Sequence, residues 1–412
     1  DRSPSRGLGD VYKRQILACW SEASPLLHVI RRTWRTSEPT RLQQCVAGEL
    51  TYIGLQIRTL DNQPGVFLHQ RAYVVDLLRL WNMSACRSCA PTGVRPACSL
   101  DDASEAPEDC DISTIRLAQN LTGGLLWLST KKRLDLAHGV CGMPTTAAKW
   151  PTRTMAASKH LFRYPCGTQR VGLMLSPSKA TDSVVVYLDG SYLPRMSYLG
   201  IILLWGNRPI GWRACRPTLP AFSSTEAELQ ALSLGCQMGR GAAALIESWN
   251  GPLKAPWLMV KEDNLATISV VEDGGSWRTR SYVNKAAICR EFRRAGLLSI
   301  EYVCTKQQLA DGLTKHLGPA GVTELRQRLG LLSIEPPTRI ARVTHSVKSE
   351  TAAEPAAASS CSSLPGWTKS RVHDEVTALK LTTIGDVVHH RSHKSTMTMQ
   401  QQQQQQQPHA SN

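Results

Sequence analysis

Residues 183–232 read SVVVYLDGSYLPRMSYLGIILLWGNRPIGWRACRPTLPAFSSTEAELQAL, and the change of pattern along them decides the fold. SVVVYLD, SYLGIILLW and RPIGWRACR are three successive strand candidates, and FSSTEAEL opens a helix behind them. Working outward, PWLMVKED is a fourth strand, a helical region runs through 290, LLSIEYVC at 297–304 is a fifth strand, and a closing helix lies near 307–330. Three strands, helix, strand, helix, strand, helix implies an α/β mixed sheet with helices packed on it.

The helix start carries two glutamates. Ser223 with Glu226, or Thr225 with Glu228, would each form a capping box, the hydroxyl accepting from a free backbone N–H and the carboxylate accepting from another. At about 100° per residue the two glutamates point about 200° apart, so they cannot serve one face. If one caps, the other needs a different reason to be there. Spacing alone leaves both registers open.

Three more acids fall at element boundaries: Asp189 at the end of the first strand, Asp263 at the end of the fourth, and Asp311 at the start of the last helix in QQLADGLTK. Each has a local explanation, as a turn, a helix start or a charge complementing the helix dipole. Their joint placement at the ends of one sheet points instead to a cluster. Clustered carboxylates resist joint ionisation unless cations sit among them. Hard oxygen ligands suit Mg²⁺ or Mn²⁺. Two such ions would activate water and stabilise the leaving oxygen of a phosphodiester, so metal-dependent phosphodiester hydrolysis is the expected chemistry.

The 412 residues suffice for two domains plus tails. A net charge of +15 spread along the chain is a weak pointer to a polyanionic partner. No apolar run reaches the ~18 residues of a membrane span, so an intracellular location, cytoplasmic or nuclear, is expected. Cys215, Cys236, Cys289 and Cys304 lie singly in apolar segments and read as small core residues; Cys86 and Cys89 in CRSC lack a second tight pair and read as free thiols in a loop.

Residues 1–44 read as a leader, partly non-native or disordered. Residues 45–180 form a smaller α+β unit: a strand-turn-strand in ELTYIGLQIRTLDNQPGVFLHQ, turning at Asp61-Asn62 and Pro64-Gly65, then a helix in AYVVDLLRLWNM, a loop over 84–111, and helices in IRLAQNLTGGLLWLST and TMAASKHLFRY. The sheet unit occupies 181–332. Residues 333–412 turn to Ala, Ser, Thr and His and include Gln400 to Gln407, a composition expected to be disordered. Trp205 and Trp212 read as core.

Residues 183–317 resemble the ribonuclease H domain of copia-type LTR retrotransposon Pol polyproteins, through YLDGSY, FSSTEAELQAL, the Asp263-Asn264 of KEDNLA, WRTRSY and EYVCTKQQLADGLTK. YIGLQI, GVFLHQRAYVVDLL, GGLLWLSTKKRLDLAHGV and KHLFRYPCGTQRVGL resemble the end of the reverse transcriptase and the connection that precede that domain. The resemblance implies a ribonuclease H-like mixed five-stranded sheet after a thumb and connection remnant. It implies hydrolysis of the RNA strand of RNA/DNA hybrids, with two Mg²⁺ or Mn²⁺ ions held by Asp189, Glu228, Asp263 and Asp311. The working glutamate of such sequences precedes an apolar residue and then a small one, as in Glu228-Leu229-Gln230-Ala231, which leaves Glu226 as the cap.

A hybrid is read through phosphates and 2′-hydroxyls, for which Ser191, Ser224, Asn264, Arg278, Lys306 and Lys315 are the candidates. The implied partners are the polymerase and integrase parts of the same polyprotein. A Tyr-x-Asp-Asp polymerase strand is absent, YVVDLL at 73–78 reading as a helix. Arg133-Leu134-Asp135 stands for the usual Arg-Pro-Asp, Pro165 for leucine, and Ser281 for histidine after the Arg-Thr-Lys of relatives; no histidine lies just before Asp311. These departures keep a second reading open, a non-catalytic nucleic-acid-binding remnant.

Overall fold

The computed structural model describes residues 48–60, 63–89, 106–176, 183–192, 197–274 and 282–334. The expected leader, the Asp61-Asn62 turn, Arg278, the Ser281 position and the polyglutamine tail lie outside them.

The first sheet begins with β1 (Glu49–Tyr52), β2 (Leu55–Leu60) and β3 (Gln63–His69). Three strands stand where the sequence suggests two, because the chain reverses at Ile53-Gly54, with φ of 47° and 70°. That pair of positive angles is what a two-residue hairpin needs, and isoleucine gives no sign of it in the sequence. Helix α1 (Arg71–Leu80) follows and buries Val74, Leu77 and Leu78. Helix α2 (Ile112–Lys131) starts at an Asp111 cap that accepts from the Thr114 N–H at 3.3 Å. Short helices α3 (Ala137–Cys141) and α4 (Met143–Thr146) lead to α5 (Pro151–Gly167). Leu121, Leu125 and Leu128 of α2 meet Leu161, Phe162 and Tyr164 of α5 in one apolar cluster, each such side chain contributing about 1.5–3 kcal/mol on burial. Pro165 sits in the last turn of α5, two residues from its end, and is buried, so this departure is accommodated by a helix about to stop. Strand β4 (Val171–Leu175) then pairs with β3.

The second sheet has the order β7-β6-β5-β8-β9, the ribonuclease H-like arrangement the resemblance implies. Strands β5 (Val184–Ser191), β6 (Tyr198–Trp205) and β7 (Arg208–Cys215) form an antiparallel meander. Helix α6 (Ser224–Asn250) crosses to β8 (Leu258–Glu262), which lies parallel to β5, and α7 (Leu265–Glu272) with α8 (Val283–Arg294) crosses to β9 (Leu298–Tyr302), parallel to β8. Val184, Val186 and Leu188 face α6 from one side of β5; Val185 and Tyr187 pack against a different cluster on the other. The closing helix expected near 307–330 is three pieces: a 3₁₀ turn at Thr305–Gln307, α9 (Asp311–Thr314) and α10 (Pro319–Arg328). Pro319 at the first turn of α10 explains the restart.

After α10, β10 (Leu331–Ser333) returns to the first sheet and pairs antiparallel with β4. Leu173 and Leu331 share a buried cluster with Ile202, Leu204, Leu313 and Leu325, so the segments 45–180 and 181–332 have a common core. Trp212 lies against that cluster and its Nε1 donates to the Ser129 carbonyl at 2.7 Å. Among the cysteines read as core, Cys236 and Cys289 are buried and Cys215 is half-buried, but Cys304 is exposed, because it follows the end of β9 at the surface. Cys86 and Cys89 are free thiols, and no metal-spaced group among the described residues includes them. No helix among the described residues is long and apolar enough to cross a membrane.

Candidate active site

Glycine at two positions on neighbouring strands of the second sheet, Gly190 on β5 and Gly200 on β6, lets the site close. A Cβ on Gly190 would lie 2.3 Å from the backbone carbon of Ala227 and 2.6 Å from the nitrogen of Glu228. Only glycine therefore lets the first turn of α6 rest on β5. At that contact the Gly190 N–H donates to Glu228 Oε2 at 2.6 Å. A Cβ on Gly200, which lies opposite Asp189, would lie 2.8 Å from Thr314 Cγ2 and 2.9 Å from the Ala310 carbonyl. The second glycine thus admits α9, which starts at Asp311.

The capping question is decided by hydrogen bonds. Ser223 is the cap of α6, its Oγ accepting from the Glu226 N–H at 3.1 Å, and Glu226 Oε2 accepts from the Phe222 N–H at 2.8 Å. Glu226 is occupied by the helix end, and the Thr225–Glu228 box does not form. Glu228, two residues on, points to the sheet.

Carboxylate oxygens gather in two sets, Asp189 with Asp263 and Asp311, and Glu228 with Glu262 and Asp263, each set within 4.8 Å. Asp263, which directly follows β8, belongs to both. The four acids expected from the sequence are thus brought together, with Asp189 and Glu228 buried and Asp263 and Asp311 half-buried. Burial, then the negative charges of Glu262 and Asp189, raise the Glu228 carboxyl to about 10, against the Gly190 hydrogen bond. Burial likewise raises Asp311 to about 6, with Lys315 opposing. Thr314 donates its hydroxyl to Asp189 Oδ2, and Lys315 Nζ bridges Asp189 Oδ1 at 3.2 Å and Asp311 Oδ1 at 2.7 Å.

Two residues that sequence reasoning passed over complete the site. Glu262 is fully buried and carries the core-facing period of β8, Leu258, Val260, Glu262, where a third apolar residue would be expected. That break in alternation was the available signal. Gln308, also buried, donates Nε2 to the Leu188 carbonyl at 2.9 Å and the Lys261 carbonyl at 3.4 Å, and its Oε1 accepts from the Ala310 N–H at 3.2 Å. It ties β5 and β8 to the start of α9. Nothing in the QQLADGLTK spacing distinguishes it from its neighbour Gln307.

The remaining candidates are dispersed. Ser191 Oγ accepts from the Tyr198 N–H at 2.9 Å and closes the β5–β6 pair. Asn264 caps α7, its Oδ1 accepting from the Thr267 N–H at 3.1 Å. Ser224 and Lys306 are exposed, Ser224 on the first turn of α6 and Lys306 in the 3₁₀ turn. Among the described candidates, Lys315 alone reaches the carboxylates through its side chain.

No protein-family model matches the chain. Its homologues include the retrovirus-related Pol polyprotein from transposon RE2 of Arabidopsis thaliana, 24% identical over 290 residues, which covers 69% of this chain and 19% of that protein. The transposon Ty1-ER2 Gag-Pol polyprotein of Saccharomyces cerevisiae is 24% identical over 219 residues, 52% of this chain and 12% of that protein. The chain spans no more than about a fifth of the length of the curated relatives it matches. Among solved structures, ribonuclease H1 from Halobacterium salinarum is 19% identical, covering 32% of this chain and 94% of its own, with a TM-score of 0.26. The foamy viral protease-reverse transcriptase in complex with an RNA/DNA hybrid is 13% identical, covering 62% of this chain and 29% of its own, with a TM-score of 0.33.

Proposed function

We propose that the second sheet carries a divalent-metal-dependent nuclease centre that hydrolyses the RNA strand of RNA/DNA hybrids, as the ribonuclease H part of a transposon Pol polyprotein. The observation that carries this reading is the convergence of Asp189, Glu228, Asp263 and Asp311 at one end of the sheet, in two overlapping sets of carboxylate oxygens. The donor set fits a hard cation: every group in both sets is a carboxylate, and one oxygen beside the four acids, Glu262 Oε2, is buried without a hydrogen-bond partner. A pair of divalent ions would supply a polarised water and positive charge at the leaving oxygen.

The chain's own contribution is orientation. Asp263, common to both sets, would be a ligand on either side of the cluster. The Gly190 N–H fixes the Glu228 carboxylate, and the Thr314 hydroxyl fixes Asp189. Lys315 holds Asp189 and Asp311 together and is half-exposed, so it is placed to turn toward a phosphate once the carboxylates are otherwise neutralised. Polymerase and integrase parts of the polyprotein and an RNA/DNA hybrid are the partners proposed.

One observation favours the second reading, of a remnant that binds nucleic acid without cutting it. The Lys315 ammonium already neutralises Asp189 and Asp311, a task a metal would otherwise perform. The test uses the whole 412-residue chain, since β10 ties the two sheets together, with a labelled RNA/DNA hybrid in Mg²⁺ or Mn²⁺. Cutting of the RNA strand alone is expected, lost in Asp263→Asn and Glu228→Gln and kept in Glu226→Gln. Binding without cutting in either metal would leave the remnant reading.

A further inference from the structure

The four acids of the proposed centre are matched by a fifth that the resemblance does not imply. Glu262 closes β8 on the core-facing side, in line with Leu258 and Val260, and its side chain is fully buried. Its Oε1 accepts from the Asn264 N–H at 3.0 Å, and its Oε2 has no hydrogen-bond partner. The ionisable groups grouped with it are Glu228 and Asp263, with Asp189 beyond, all acidic. A buried, unpaired carboxylate is strongly unfavourable, and at a position where period 2 calls for an apolar side chain a Leu or Val would fill the same space without that cost. A cation among Glu228, Glu262 and Asp263 removes it.

We infer that Glu262 is a metal ligand, forming with Glu228 and Asp263 a divalent-cation site beside the one formed by Asp189, Asp263 and Asp311. The inference rests on the proposal that the cluster holds divalent ions, and it adds the residue that makes the Glu228 side of the cluster a site in its own right. Three carboxylates there, and Lys315 placed only on the Asp189–Asp311 side, make the two sites unequal.

The test is titration of the full chain with Mn²⁺ alone, bound ion being counted by electron paramagnetic resonance and by calorimetry. Glu262→Gln is compared with the parent because glutamine keeps the shape and the Asn264 hydrogen bond but cannot be ionised. The parent is expected to bind two ions of unequal affinity. In Glu262→Gln one ion is weakened about tenfold or more, since even residues that only support a metal's ligands cost that much when lost. Asp189→Asn weakens the other ion and leaves the one at Glu262. Glu262→Leu, which fits the apolar line of β8, is expected to melt in EDTA no lower than the parent while showing the same loss of Mn²⁺, so a binding defect is not a folding defect.

Two ions bound by Glu262→Gln with parental affinities would overturn the inference and leave the nuclease reading standing. No ion bound by the parent would overturn both.

Discussion

At the scale of the residue, the site turns on two carboxyl groups, Glu228 and Asp311, whose protonated form burial favours. Glu228, raised to about 10 from 4.5, and Asp311, raised to about 6 from 3.8, bind more protons in the folded chain than in the unfolded one. Stability therefore depends on pH with a definite sign. The contribution of a raised acid is present below its unfolded pKa and is lost as pH rises through the folded value. In EDTA, urea midpoints are expected to fall as pH rises, Asp311 acting between about 4 and 6 and Glu228 from about 4.5 to 10. Divalent ions need the ionised forms, so Mg²⁺ should stabilise more at pH 8 than at pH 5, and binding should release protons. The check is urea melts at both pH values with and without Mg²⁺, plus calorimetry in two buffers of different ionisation enthalpy. A pH-independent midpoint in EDTA would mean that these carboxyls are not desolvated as the geometry has them.

The same scale shows what was legible in the sequence. Asp189, Asp263 and Asp311 could be read because each ends or begins an element, and boundaries meet at a sheet end. The choice of Glu228 over Glu226 needed the family likeness, because both fit a cap; the structure separates them through Phe222 and Gly190. Glu262 left only a break in the alternation of β8 as its signal, and Gln308 left none, since its role depends on burial, which spacing does not report. Arg133 shows the converse. Leucine between Arg133 and Asp135 looks like a loss, yet Arg133 donates from Nε and Nη2 to the Asp135 carboxylate at 2.9 Å each, Tyr164 donates its hydroxyl to Asp135 Oδ2 at 2.6 Å, and Leu134 is fully buried. The pair survives the substitution because both charges are satisfied together.

At the scale of the element, strands of the second sheet were readable from their short apolar runs and from the helix start behind them, while two boundaries were not. The closing helix breaks at Gly318-Pro319, which periodicity smooths over. The β1–β2 hairpin was missed because Ile53, at φ 47°, occupies a position that Asn, Asp or Gly normally takes. A β-branched residue in the left-handed region is strained by about 1–2 kcal/mol, and Ile53 is half-exposed, so little packing opposes its replacement. Ile53→Asn is therefore expected to raise the melting temperature of the chain by a few degrees. Differential scanning calorimetry checks it, and a lowered value would show that Ile53 contributes more by contact than its backbone loses.

At the scale of the whole molecule, β10 decides whether the ribonuclease H-like sheet stands alone. The chain leaves the first sheet at β4, builds the second, and returns to place Leu331 opposite Leu173. Leu331 is buried among Leu173, Ile202, Leu313 and Leu325, which come from both sheets and from α9 and α10. Since α9 carries Asp311 and packs on Gly200, the core that β10 completes also supports one wall of the site. The upstream segment is then a scaffold for the cluster. Two truncations separate the possibilities: a chain ending after Ile334 keeps β10, and one ending after Gly330 loses it. The shorter chain is expected to be less stable by about 1.5–3 kcal/mol from Leu331 alone, and more with the lost strand pairing. Its Mn²⁺ affinity should fall on the Asp311 side before the Glu262 side, because α9 is the element that loses support while β8 keeps its place between β5 and β9. Urea denaturation with Mn²⁺ titration of both chains measures this. Equal midpoints and equal affinities would mean that the second sheet holds its site without the first.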